Sequence, residues 1–197
     1  MFWEITMLEI RIHGRGGQGN VVASYLLALA AFESGKYAQA FPSFGAERRG
    51  APVTAFVRLD DAPFRRRCQV REPDFLIVQD QALLHVPGVL SGLKEGGGIL
   101  LNAKADSDGL QRQLGRKVVT VPATELALAI LRKPVPNTAL IAAFLALTEL
   151  MPLSALNEAL QKRFRGEVLA RNWELAEAAA KGVPVGLWRE RAHAASA

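Results

Sequence analysis

The chain has 197 residues, which is enough for one domain with a sizeable core and short for two. Half of the residues are hydrophobic and 22% are charged, so the composition excludes a disordered chain and is typical of a folded protein. The net charge is a modest +5, and one cysteine, Cys68, is too few for this chain to hold an iron–sulfur cluster, a structural zinc or an internal disulfide.

The chain begins with a strand, a glycine-rich turn and a helix. Large apolar and polar residues alternate from Leu8 to His13, which predicts a strand. Residues 14–19 contain four glycines and predict a tight turn. The Ala- and Leu-rich residues 20–34 predict a helix, with Gly35 placed to end it.

The later elements follow from alternation, short apolar runs and helical periodicity. Further strands are predicted at 37–41, 53–59, 75–78, 99–101 and 117–121, and further helices at 81–93, 123–132, 138–150, 154–163 and 168–181. Residues 182–197 are expected to form a surface tail whose only large apolar anchor is Trp188. The pattern predicts one α/β domain over residues 1–197, with its core at about 8–181, a mostly parallel central sheet and a helical C-terminal part.

The glycine turn is the first candidate site. Gly14, Arg15, Gly16, Gly17, Gln18 and Gly19 match the pattern G-x-G-x-x-G between a predicted strand and a predicted helix, where backbone and helix N-terminus favour an anionic ligand. A dinucleotide site also expects an acidic residue at the end of the second strand, and residues 37–41 lack one. An NAD site, a phosphate or acyl-carrier contact, a contact with a partner subunit, and a turn without any ligand all remain open.

The second candidate site is the loop at residues 42–52, which carries Ser43, Arg48 and Arg49. It is either a solvated charged loop or a contact surface for a ligand or partner. Seven arginines lie between residues 42 and 71, and such a cluster suits phosphate groups or an acidic partner. Aromatic residues do not interleave these arginines as nucleic-acid stacking requires, so we expect no nucleic-acid partner.

Together, the two motifs resemble a known family. The sequence Gly-Arg-Gly-Gly-Gln-Gly at 14–19, followed by Pro-Ser-Phe-Gly-Ala-Glu-Arg-Arg-Gly-Ala-Pro-Val at 42–53, resembles the gamma subunit of pyruvate and other 2-oxoacid:ferredoxin oxidoreductases. The resemblance continues through residues 54–59, Pro73-Asp74 and residues 136–140, and covers roughly residues 8–180. Both motifs in this order, at this spacing, are specific to that family.

The resemblance implies a subunit of a complex that oxidatively decarboxylates a 2-oxoacid such as pyruvate to an acyl-coenzyme A. It implies that thiamine diphosphate, magnesium and 4Fe–4S clusters belong to other subunits, of alpha, beta and delta type, and that ferredoxin or another acceptor takes the electrons. This chain would then bind no cofactor by itself. The residues proposed to border the coenzyme A or thiamine pocket, or a partner chain, are Gly14, Arg15, Gly16, Gly17, Gln18, Gly19, Ser43, Arg48 and Arg49.

Several alternatives remain open from the sequence. The resemblance leaves the substrate open between pyruvate, 2-oxoglutarate, branched-chain oxoacids and aryl oxoacids such as phenylglyoxylate or indolepyruvate. The other interpretations are a free-standing nucleotide-binding protein and a scaffold unrelated to oxidoreductases. No residue is assigned a catalytic or metal-binding role, because His13 reads as structural and His85 and His193 lack companions at ligand spacing. The first six residues do not form a signal peptide, and the most apolar stretch is too short to span a bilayer, so we expect a cytoplasmic protein without membrane contact.

Overall fold

The computed structural model describes residues 7–43 and 50–194. These residues form one six-stranded sheet in the order β2-β3-β1-β4-β5-β6. The strands are β1 (Leu8–Arg15), β2 (Tyr37–Ser43), β3 (Pro52–Asp60), β4 (Phe75–Val78), β5 (Gly98–Asn102) and β6 (Lys117–Val121). The helices are α1 (Asn20–Glu33), α2 (Ser107–Leu114), α3 (Ala123–Leu131), α4 (Asn137–Thr148), α5 (Leu153–Arg163), α6 (Gly166–Lys181) and α7 (Arg189–His193), and a 3-10 helix covers Gln81–His85.

The sheet is mostly parallel, as the sequence predicted. β1 pairs in parallel with β4, β4 with β5, and β5 with β6. β3 is antiparallel to both β1 and β2. Only a short connection separates β2 from β3, so an antiparallel arrangement needs no crossover helix there. The predicted α/β fold class is therefore confirmed.

Both faces of the sheet carry an apolar core. On the larger side, Ile10 and Ile12 of β1 pack with α1 and with α4, whose residues are almost all buried. A helix that is apolar all round is expected at the centre of such a layer, because it has no solvent-facing side. On the other side, Leu76 and Val78 of β4 and Ile99 of β5 pack against Leu83 of the 3-10 helix.

The predicted helix at 81–93 is wrong. Only Gln81–His85 is helical, as a 3-10 helix, and turns follow. Gly88 and Gly92 have φ angles of 89° and 74°, in the left-handed region that ends a right-handed helix.

Helix α2 was not predicted, because its residues are mostly polar and none of them is buried. The carboxylate of Asp106 begins α2 by accepting hydrogen bonds from the N–H groups of Asp108 and Gly109.

The C-terminal segment is packed onto the sheet through Trp188. Its side chain is 3% exposed, and its ring lies 5.5 Å from the ring of Phe75 in a stacked arrangement. A Cβ placed on Gly98 would lie 2.8 Å from the indole, so a glycine is required where β5 passes beneath it. The anchor is the one expected from the sequence, but the sequence analysis did not predict the short helix α7 that follows it.

Candidate functional site at the glycine turn

The glycine turn lies where two neighbouring parallel strands, β1 and β4, connect to opposite faces of the sheet. After β1 the chain passes to α1 on the larger apolar side, whereas after β4 it passes to the 3-10 helix on the other side. Ligands of open α/β sheets bind at such a switch point, outside the carboxyl ends of the parallel strands. The turn therefore occupies the position in this fold where a ligand contact is most expected.

Arg15 connects the turn to two neighbouring segments and to Gln18 within the turn. Its Nε donates to Asp80 Oδ2 at 2.6 Å, just beyond the carboxyl end of β4. Its Nη1 donates to the carbonyl of Gly50 at 3.1 Å, and its backbone N–H donates to Gln18 Oε1 at 2.7 Å. The Arg15 side chain thus spans the switch point and holds the turn against the start of β3.

Beneath the turn, the side chain of Asn20 is directed into the sheet. Its Nδ2 donates to the carbonyls of Ile12 and Val53, and its Oδ1 accepts from Gln79 Nε2. A Cβ placed on Gly14 would lie 2.5 Å from Asn20 Oδ1, which explains why this position is a glycine. The residue that precedes α1 is Gly19, which has no side chain to cap the helix, so the N-terminal N–H groups of α1 are left for another partner.

A cavity of about 420 Å³ opens at the N-terminus of α1; we call it the Gly19 cavity. Gly19 has a φ of 82°, and a Cβ placed on it would lie 2.7 Å from Nδ2 of Asn137, the first residue of α4. The beginning of α6 completes the wall through Glu167 and Val168. Three helices therefore start around this cavity, and the structure gives none of them a side-chain cap.

The Gly19 cavity has a cationic rim and an apolar wall. Lys133, Arg163 and Arg171 supply three positive charges, and Glu167, which pairs with Arg171, supplies one negative charge. The remaining wall is mainly apolar: Val22, Leu131, Val135, Phe164 and Val168. Such a lining suits a ligand that has both an anionic group and an apolar portion.

His13 lies near the end of β1, directly before the turn. It is 6% exposed, Thr54 Oγ1 lies 3.3 Å from its Nδ1, and its Nε2 has no partner among the described residues. Burial, and secondarily the charge of Arg11, lower the pKa of His13 to about 4. The imidazole is therefore neutral at physiological pH, which agrees with a structural role.

The structure brings the first motif and the flanks of the second together. The N–H of Gly16 donates to the carbonyl of Ala51 at 3.0 Å, which fixes the turn against the residue before β3. Ser43 ends β2 opposite Thr54, and its Oγ accepts from Gln69 Nε2 at 3.3 Å. Gly17 is exposed, with a φ of 98°. Arg48 and Arg49 lie outside the described residues.

Sequence reasoning did not find the other polar groups of this region. Asp80, Lys133 and Arg163 come from separate parts of the chain, Arg163 from the end of α5, and only the fold brings them to the glycine turn. Asn137 was noted only as a capping residue or a partner of Thr138, and its Oδ1 indeed accepts from the Thr138 N–H at 2.8 Å. A lone exposed lysine or arginine carries no sequence signal that separates it from ordinary surface charge.

Among residues 7–43 and 50–194, no group of three or more His, Cys, Asp or Glu side chains converges as a metal site needs. None of the helices in this described part of the chain is long and apolar enough to traverse a bilayer.

The fold and the turn define an open α/β domain with a glycine-rich turn at its ligand-binding edge. Residues 9–182 match the family described as pyruvate ferredoxin/flavodoxin oxidoreductase, and the chain belongs to that family. The predicted family resemblance is thereby confirmed, and so is the assignment to an oxidoreductase complex.

The similar proteins are oxidoreductase subunits of nearly the same length. Pyruvate synthase subunit PorC of Methanothermobacter thermautotrophicus is 49% identical over 173 residues, which cover 88% of this chain and 94% of that protein. The common gamma subunit of the pyruvate/ketoisovalerate oxidoreductases of Thermococcus kodakarensis is 47% identical over 176 residues, with 88% and 95% covered. The crystal structure of pyruvate oxidoreductase subunit PORC from Thermotoga maritima has a TM-score of 0.79 and 37% identity, with 89% and 96% covered.

Proposed function

We propose that this chain is the gamma subunit of a cytoplasmic complex that oxidatively decarboxylates pyruvate, or a closely similar 2-oxoacid, to an acyl-coenzyme A. In this proposal, the alpha-, beta- and delta-type subunits carry thiamine diphosphate, magnesium and the 4Fe–4S clusters, and ferredoxin accepts the electrons. The gamma chain contributes the part of the coenzyme A pocket that lies around its glycine turn. The names of the relatives, which specify pyruvate synthase and gamma subunits, support the substrate and the subunit type.

The observation that carries the pocket proposal is the joining of the two motifs. Arg15 and Gly16 hydrogen-bond to the carbonyls of Gly50 and Ala51, immediately after residues 44–49. Ser43, immediately before them, pairs with Thr54, and Thr54 lies within hydrogen-bond range of His13 at the turn. Both ends of the arginine-bearing loop are therefore fixed next to the glycine turn.

The lining of the Gly19 cavity favours a coenzyme over a small anion as the proposed ligand. Coenzyme A carries phosphate groups at one end and a long, weakly polar arm, and the cavity combines Lys133 and Arg163 with the apolar Val22 and Phe164. The uncapped N-terminus of α1 adds backbone donors and a favourable dipole for phosphate. In this role, the chain binds and orients the coenzyme, and the acyl-transfer chemistry occurs on cofactors of other subunits.

The test is steady-state kinetics of the assembled oxidoreductase with this chain substituted. Charge reversal of Arg48 and Arg49, or separately of Lys133 and Arg163, is expected to raise the apparent KM for coenzyme A by about tenfold or more. The reason is that a charge-assisted hydrogen bond contributes roughly 1.5–3 kcal/mol. The KM for the 2-oxoacid should stay unchanged, because that substrate is proposed to bind elsewhere.

The matched control reverses two exposed arginines of the α2 region, Arg112 and Arg116, which lie outside the Gly19 cavity. This control should leave both KM values unchanged. If the complex assembles and the loop and cavity variants show the wild-type KM for coenzyme A, the pocket proposal is wrong. If no 2-oxoacid-oxidising complex assembles around the wild-type chain, the subunit proposal itself is wrong.

A further inference from the structure

A second polar region lies near the beginning of β1, at the opposite end of this strand from the glycine turn. Glu9 of β1 is paired with Arg58 of β3, and both side chains project from the face opposite to Ile10 and Val57, which belong to the larger core. Arg58 is fully buried, and its Nε donates to Glu9 Oε1 at 2.7 Å. This single ion pair uses only part of the donor capacity of the guanidinium.

Next to this ion pair is an open cleft of about 610 Å³, which we call the Arg58 cleft. Its charged lining consists of Glu9, Arg58, Arg66, Arg71, Glu72 and Lys94. These are four cations against two anions, and Lys94 is additionally held by Asp74, 3.0 Å from its ammonium. The cleft is therefore polar with a cationic excess.

Residues 65–71 extend this cationic surface. Arg65, Arg66, Arg67 and Arg71 are all exposed. Of these four arginines, only Arg66 lies within 4 Å of a carboxylate in the described part of the chain, that of Glu9 at 3.9 Å. Exposed arginines crowded on one short segment repel one another, and planar guanidinium groups bind carboxylates in a bidentate manner. The surface is complementary to a group of carboxylates.

The segment that presents these arginines is anchored. Val70 is 2% exposed, and Gln69 Nε2 donates to Ser43 Oγ at the end of β2. Cys68 Sγ lies 3.7 Å from Arg58 Nη2, so the segment also contacts the buried guanidinium. A fixed backbone lowers the entropic cost of binding, because fewer degrees of freedom are lost when a partner docks.

We propose that the Arg58 cleft and the exposed arginines of residues 65–71 form the docking surface for an acidic segment of another subunit of the oxidoreductase complex. The carboxylates of that segment pair with Arg65, Arg67 and Arg71. This inference rests on the proposed function, because it takes the partner from the same complex. A protein partner is favoured over nucleic acid, because Glu9 and Glu72 in the cleft would repel a phosphate backbone and Phe64 is the only aromatic residue between 60 and 72.

The first measurement is assembly of the purified complex with a triple variant, Arg65→Glu, Arg67→Glu and Arg71→Glu. Association with the other subunits at about 0.1 M salt should be at least about tenfold weaker than for wild type, because like charges then oppose each other across the interface. The control makes the same change of charge elsewhere, by Arg112→Glu, Arg116→Glu and Lys117→Glu, and should assemble like wild type. Thermal unfolding of both isolated variants verifies that they are folded.

The second measurement uses Cys68, the only cysteine of the chain and exposed in the isolated subunit. Alkylation of this chain by N-ethylmaleimide, followed by intact mass spectrometry, should be at least about tenfold slower in the assembled complex, since a docked segment covers the cleft. Equal alkylation rates, or normal assembly of the triple variant, would overturn the inference while leaving the proposed function standing. Failure of the wild-type chain to assemble would instead refute the proposed function, and loss of the partner after nuclease treatment would indicate nucleic acid in place of the acidic segment.

Discussion

Replacement of His13 by glutamine should change how the stability of the isolated chain depends on pH. The imidazole is buried, and its pKa is lowered to about 4 from an ordinary value of 6.5. Between these values the unfolded chain binds a proton that the folded chain does not bind. The contribution of the neutral His13 to the free energy of unfolding is therefore fully present above about pH 6.5 and is lost as the pH falls toward 4.

The magnitude follows from the same pair of values. At about 1.4 kcal/mol per pKa unit, the difference between 6.5 and about 4 corresponds to about 3 kcal/mol of unfolding free energy. Glutamine does not titrate, so His13→Gln removes this contribution to the pH dependence, whatever its effect on packing. The wild-type chain should lose about 3 kcal/mol more than the variant between pH 7 and pH 4.

Urea unfolding of both proteins at several pH values between 7 and 4 measures this difference, since the contributions of all other groups cancel between them. The same substitution at the exposed His85 serves as the matched control. If the stability difference between wild type and His13→Gln is the same at pH 7 and pH 4.5, the burial argument for His13 is refuted.

Three further substitutions test the packing around the site and the C-terminal segment. Gly19→Ala should destabilise by at least about 2 kcal/mol, because a side chain at a φ of 82° is strained and its Cβ would meet Asn137. Gly17 has a similar φ, but no atom lies within 4 Å of a Cβ placed on it. Gly17→Ala should therefore lower the free energy of unfolding, measured by denaturation, by only about 1 kcal/mol. Trp188→Ala should lower the free energy of unfolding, measured by thermal unfolding, by about 3–5 kcal/mol. A decrease below about 0.5 kcal/mol would contradict the burial of Trp188.

The family and most of the fold were predictable from the sequence, because local patterns carry them. Short apolar runs such as Phe75–Val78 mark strands that are buried on both faces, and the glycine turn lies where β1 ends. The helix predicted at 81–93 failed because its apolar residues cover the sheet from a 3-10 helix and successive turns. Burial alone does not distinguish that arrangement from a helix.

The sequence by itself determined the strands, most of the helices, the glycine turn and the pairing of two motifs that place the chain in its family. Only the tertiary structure decided that Arg15 reaches Asp80 across the switch point, that Asn137 covers Gly19, and that Lys133 and Arg163 rim the cavity beside it. The physical reason is that periodicity and propensity act over neighbouring residues. Contacts between residues 65 or more positions apart depend instead on how the helices pack onto the sheet.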